Sequence, residues 1–419
     1  MMKRALLFLS LLSVPCVVTS CKDDAAPGTS ITTESPLDKL CKLMKLSGYS
    51  EKEIKVFRAG YEGDTTTLNN LKNRIHISIY CMGAAAAGNK ELVLQCLDKG
   101  ADPNKGLQYA ARGGHMEIVQ LMLSKGADPD EGLYVAARGG HVDIVQLLLD
   151  KGASPNEGLG GAACGGHMDI VQLMLDIGAD PDMGLLGAAE GGHLDIVQLM
   201  LSKGATDYDM GLYGAADGGH LDIVQLMLSK GATDYDSGLL DAAHGGHLDI
   251  VQLLLSKGAH PNSGLSDAAW VGHMDIVQFL LDKGADPNTG LWYAARGGHM
   301  DIVQLMLSKG ATDYDGGLRG AADGGHLDIV QLMLDKGATD YDMGLRGAAL
   351  GGHLDIVQLM LDKGADPDEG LFGAALGGHL DIVQLMLDIG ASNLDSALNE
   401  AKRKGHTECA ELIRAAMKK

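Results

Sequence analysis

Twelve histidines fall in one register: His115, His141, His167, His193, His220, His247, His273, His299, His326, His353, His379 and His406, each after a glycine and 26 or 27 residues from the next. Imidazoles in a row invite a metal reading, but geometry opposes it. Packed helices lie roughly 8 to 10 Å apart, whereas two imidazoles on one zinc must each bring a nitrogen to about 2 Å from the ion. One histidine per layer cannot share a metal with the next, so no metal site is expected. The acidic turn Asp207-Tyr208-Asp209-Met210-Gly211 begins like a calcium loop. It lacks the third oxygen ligand, and Gly218 stands where such a loop needs its glutamate. The chain has no Gly-rich phosphate loop, no Gly-x-Ser-x-Gly and no His-Glu-x-x-His, so no catalytic residue and no cofactor is assigned.

The elements that hold these residues are short. Residues 212 to 238 represent one unit. A first helix carries Leu212, Ala215 and Ala216 and stops at Gly218-Gly219. Asp222 opens a second helix, where a carboxylate suits the positive helix N-terminus, and Ile223, Val224, Leu226, Met227 and Leu228 form its apolar face. Lys230 and Gly231 close it. Units joined by Asp-Pro-Asn and its variants are 26 residues long, and those joined by Thr-Asp-Tyr-Asp have one more, so the insertion is confined to the turn. Helices of about two turns are not stable alone, and packing between units must hold them.

The units resemble the ankyrin repeat, whose helical half reads Leu-x-x-Ala-Ala-x-x-Gly-His-x-x-Ile-Val-x-Leu-Leu-Leu-x-x-Gly-Ala-Asp-Pro-Asn. Leu133 to Gly152 matches nearly position for position, and the resemblance runs from residue 81 to 413. It implies an all-α helix-turn-helix solenoid of about 12 to 14 short repeats, with each histidine hydrogen-bonded to backbone where helices meet. The usual unit has about 33 residues and a Thr-Pro-Leu-His turn. Here pairs such as Glu131-Gly132 replace Thr-Pro and about seven residues are missing, so no projecting β-hairpin is expected. Asn89 and Asp64 take the histidine place in weaker N-terminal copies.

Residues 1 to 20 read as a signal peptide, with Lys3 and Arg4 before an apolar run from Ala5 to Val18. Val18-Thr19-Ser20-Cys21 resembles the bacterial lipobox, which makes Cys21 the lipidation site and the only membrane attachment. Lys22-Asp23-Asp24 resembles a signal that exports such lipoproteins to the outer face of the outer membrane; the periplasmic face is the alternative. Residues 21 to 35 form a lipidated tether, 36 to 80 a helical cap with a degenerate repeat, and 81 to 419 the array with its C-terminal cap. The formal charge of −21 becomes −23 once Lys3 and Arg4 leave with the signal. A field of that sign repels phosphate backbones, so nucleic acid is excluded as a partner. It keeps a long array soluble, and attraction of a basic partner is the sharper alternative. Beyond Cys16 and Cys21, Cys81, Cys96 and Cys409 stand at core positions, Cys164 on the variable face and Cys41 in the cap. Their spacing suggests no pairing.

Comparing units separates scaffold from payload. The two residues after the first-helix leucine and the residue before Gly-Gly vary, and they include Tyr109, Arg112, Tyr134, Arg138, Tyr213, Trp270, Trp292, Tyr293, Arg296, Arg319, Arg346 and Phe372. Tyr, Trp and Arg dominate binding hot spots. These twelve residues are the candidate protein-binding face of a non-catalytic scaffold at the bacterial envelope or cell surface. The rival readings are a spacer or adhesin without a dedicated partner and an exported, host-directed effector.

Overall fold

The computed structural model describes residues 35–46, 49 and 51–418, and every regular element among them is helical. The signal peptide, Cys21 and the tether up to residue 34 lie outside the described residues. No described helix is long and apolar enough to cross a membrane. The chain divides into two compact units, Met1–Thr233 and Asp234–Lys419.

The first unit begins with helices Pro36–Leu46, Glu51–Glu62 and Thr65–Asn70. Glu51–Glu62 lies against Arg74–Ala86 with glycine on both sides of the contact. A Cβ on Gly60 would sit 2.9 Å from the Tyr80 carbonyl carbon, and one on Gly83 would sit 2.7 Å from the Tyr61 nitrogen. Only Gly allows backbones this close. Asp64 caps its helix by accepting the Thr66 and Thr67 N–H groups, and Asn89 accepts Leu92 N–H at 3.2 Å, so both stand at the N-cap that histidine occupies in later layers.

From Pro103 onward each layer of the first unit repeats one plan, seen in Pro181–Glu190 followed by Leu194–Ser202. Leu185, Ala188 and Ala189 of the first helix and Ile196, Val197 and Met200 of the second are buried. The second helix opens one residue earlier than the sequence suggests. His193 is its N-cap, and Asp195, inside the first turn, accepts the N–H of Ile196 at 2.9 Å.

His193 makes no cap bond. Its Nε2 instead donates to the Cys164 carbonyl oxygen of the preceding layer at 3.2 Å. The same bond is made by His115, His141, His167 and His220 in this unit, and by His273, His299, His326, His353, His379 and His406 in the second. The Gly-Gly pair makes room for it. A Cβ on Gly191 would lie 2.7 Å from Cδ2 of His193, and one on Gly192, whose φ is +75°, would run into the imidazole of His220 in the next layer. The pair therefore serves two histidines, its own and its neighbour's.

A second inter-layer bond runs along the turns. Asn104 Oδ1 accepts Asp128 N–H at 2.8 Å, and Asp130, Asn156 and Asp182 accept Ser154, Asp180 and Thr206 in the same way. In the second unit Asp236, Asn262, Asn288, Asp315, Asp342 and Asp368 continue the pattern. These carboxylates and amides satisfy N–H groups of the following turn that face back towards the preceding layer, where the shortened repeat has no hairpin to pair them. Among the described residues no cluster of His, Cys, Asp and Glu could hold a metal ion.

The second unit stacks its layers from Tyr235–Gly245 and Leu248–Lys257 through to Leu394–Lys404 and Thr407–Ala416. Its last layer keeps the apolar interior, with Leu398, Cys409 and Ile413 buried, and turns Lys402, Arg403 and Lys404 outward.

Candidate functional site: an aromatic and arginine face on the first helices

The carbonyl that each histidine bonds belongs to the residue before Gly-Gly, which is one of the variable columns. That bond uses the backbone of the residue and not its side chain. This explains how the column can hold Arg, Cys, Glu, Trp, Asp or Leu without disturbing the stack.

In the second unit four predicted residues come together. Trp270 is the penultimate residue of helix Asn262–Val271, and Trp292, Tyr293 and Arg296 stand on Pro287–Gly297 in the next layer. Trp292 and Arg296 are four apart and share a face. The Arg296 guanidinium carbon lies 4.7 Å from the Trp270 ring centroid and 5.2 Å from that of Trp292, bridging two layers by cation–π contact. Tyr293 meets Trp292 edge-on at 4.8 Å and 87°. Trp270 and Tyr293 each keep 37% of their surface exposed, and Trp292 is half-buried.

Asp323, one layer further on, fixes the arginine. Its Oδ2 is 2.5 Å from Arg296 Nε, and only 10% of its side chain is exposed. Gly320 allows this, because its missing Cβ lets helix Tyr314–Gly324 approach the Trp292 carbonyl and brings Asp323 within reach. Burial raises the Asp323 pKa, and the opposing pull of Arg296, Arg319 and His353 does not cancel it, so the carboxyl stays above its ordinary value.

Sequence reading placed Asp323 in the variable column but gave it no role. The available signal was an acid at the same position as an arginine 27 residues earlier. Arg319 is exposed on the same helix as Asp323 and makes no ion pair among the described residues. Further along, Arg346 lies over the Phe372 ring at 4.2 Å and 3.5 Å from Glu369, another acid that the sequence reading passed over.

The remaining candidates lie in the first unit, and the structure does not gather them into one cluster. Tyr109 is not free on the surface: its ring packs against Phe57 of the cap at 5.4 Å, and burial pushes its pKa up to about 12. Cys164 is buried, not displayed, with its thiol 3.7 Å from Glu190, which is also buried. Arg112 is exposed, whereas Tyr134, Arg138 and Tyr213 are half-buried. The described cysteines are buried, and none forms a disulfide among the described residues.

The sequence matches the family described as ankyrin repeats (3 copies) over residues 81–158, 159–238, 185–264, 265–344 and 345–418. The chain belongs to the ankyrin repeat family. Repeats of this kind make it a protein-interaction scaffold. Among solved structures it is similar to the ankyrin repeat domain of human ASB11, with 24% identity and a TM-score of 0.30, covering 37% of this chain and 83% of that one. No curated protein matches the sequence.

Proposed function

We propose that this chain is a non-catalytic scaffold whose protein partner docks on the first-helix face of the second unit, centred on Trp270, Trp292, Tyr293 and Arg296. The observation that carries the reading is the fixed arginine between two indoles. Three layers contribute to it, and its aromatic edges stay exposed on an otherwise acidic chain. An exposed aromatic cluster held rigid by its own ion pair loses little conformational entropy on binding. A photo-crosslinking residue at Tyr293 should capture the partner, while the same residue at Gln304, exposed on the second helix of that layer, should not. Equal capture at both positions contradicts the reading.

We also infer that the chain is exported as an outer-membrane lipoprotein facing the cell surface, on the strength of Val18-Thr19-Ser20-Cys21 and the Lys22-Asp23-Asp24 that follows. A buried acyl chain supplies about 0.8 kcal/mol per CH₂, so loss of the lipid should release the protein. Cys21→Ala is expected to move it from the membrane fraction to the soluble one or to leave it uncleaved. An unmodified mature N-terminus elsewhere in the parent, read by mass spectrometry, contradicts the anchor. Protease added to intact cells should degrade the array if it faces outward and spare it if it faces the periplasm.

A further inference from the structure

The aromatic face carries an uncovered positive charge on an acidic chain. The formal net charge is −21, yet the acid of this cluster is withdrawn. Asp323 has one-tenth of its side chain exposed and is held by Arg296. Arg319, four residues before it on the same helix, is exposed and unpaired among the described residues, close enough to act on the Asp323 carboxyl. A ligand spanning this face therefore meets the exposed Arg319 guanidinium one layer on from Tyr293 and two layers on from Trp270.

We propose, resting on the docking reading above, that the occupant of this face is an acidic peptide segment. It sets a carboxylate against Arg319 and a bulky apolar side chain against Trp270 and Tyr293. Guanidinium and carboxylate match in bidentate geometry, which a phenol or an amide does not reproduce. The chain's net field disfavours an acidic ligand over most of the array, so the contact depends on the guanidinium of Arg319 beside the covered Asp323. A basic segment is drawn to the array as a whole but meets Arg319 head-on at this site, and like charges across an interface are strongly disfavoured.

Both tryptophans of the chain stand in this cluster, so intrinsic fluorescence reports on it directly. The test uses displayed random dodecapeptides selected on the full chain. Each enriched peptide is then synthesised and titrated against the parent, Arg319→Glu and the Trp270→Ala, Trp292→Ala double variant. The expected result is enrichment of Asp or Glu next to bulky apolar residues, with a change in tryptophan emission on binding. Affinity should fall about tenfold or more in Arg319→Glu and weaken with added salt, and a fresh selection on that variant should enrich Lys and Arg. Peptides that need the tryptophans but show no acidic bias, or that bind Arg319→Glu as tightly as the parent, overturn the acidic occupant and leave the docking face standing. Binders indifferent to the double variant, or no binder at all, overturn both.

Discussion

Gly161→Ala should destabilise the first unit by more than about 2 kcal/mol, although alanine is the better helix former. Gly161 lies inside helix Pro155–Gly165, where exchanging Gly for Ala ordinarily gains about 1 kcal/mol. Here the added Cβ would overlap the carbonyl oxygen of Tyr134 and lie 3.0 Å from its carbon and 3.2 Å from its Cα. All three are backbone atoms of the neighbouring layer, so no side-chain rotation relieves the contact and the two layers must separate. The residue beside it provides the control. A Cβ on Gly160 would find its nearest neighbour at 3.3 Å, the Met183 carbonyl oxygen, a contact relieved by a shift of a few tenths of an ångström. That strain offsets part of the propensity gain, and Gly160→Ala should lie between the parent's stability and about 1 kcal/mol above it. Urea melts of the two variants, with hydrogen exchange across residues 134 to 190, distinguish them. Equal stability would mean that the layers are not held at the spacing described.

The same glycines mark the boundary of what could be read from the sequence. The helical unit, its apolar positions, the turn that absorbs the extra residue and the glycine stops are all set by residues a few places apart, which is why periodicity exposed them. The pairings that matter between layers join residues 23 to 30 places apart, and a column of varying residues does not say which neighbour answers which. Gly192 looked like a helix stop, and its second task, making room for His220, belongs to the next layer. Asp323 had no assigned role, and its pairing with Arg296 shows only when the helices are stacked. Tyr109 and Cys164 shared a column with exposed residues. The cap ring of Phe57 covers the first, and a buried carboxyl meets the second. Both outcomes depend on a partner drawn from elsewhere in the chain, which the unit's own pattern does not contain.

The docking face of the second unit is the centre of this account, and the affinity of the Trp270→Ala, Trp292→Ala double variant for a partner captured by the parent measures it most directly. Removing both rings takes away the two surfaces that hold Arg296, along with the edge-on contact of Tyr293. Truncating a true hot spot costs about 2 kcal/mol or more, so at least a roughly thirtyfold loss of affinity is predicted. Trp292 is half-buried, and its loss should lower stability by about 1 to 2 kcal/mol. The Leu, Ala, Ile and Val interior of each layer is untouched, and circular dichroism should show a folded array at the temperature of the binding assay. A folded double variant that binds as tightly as the parent would contradict the account.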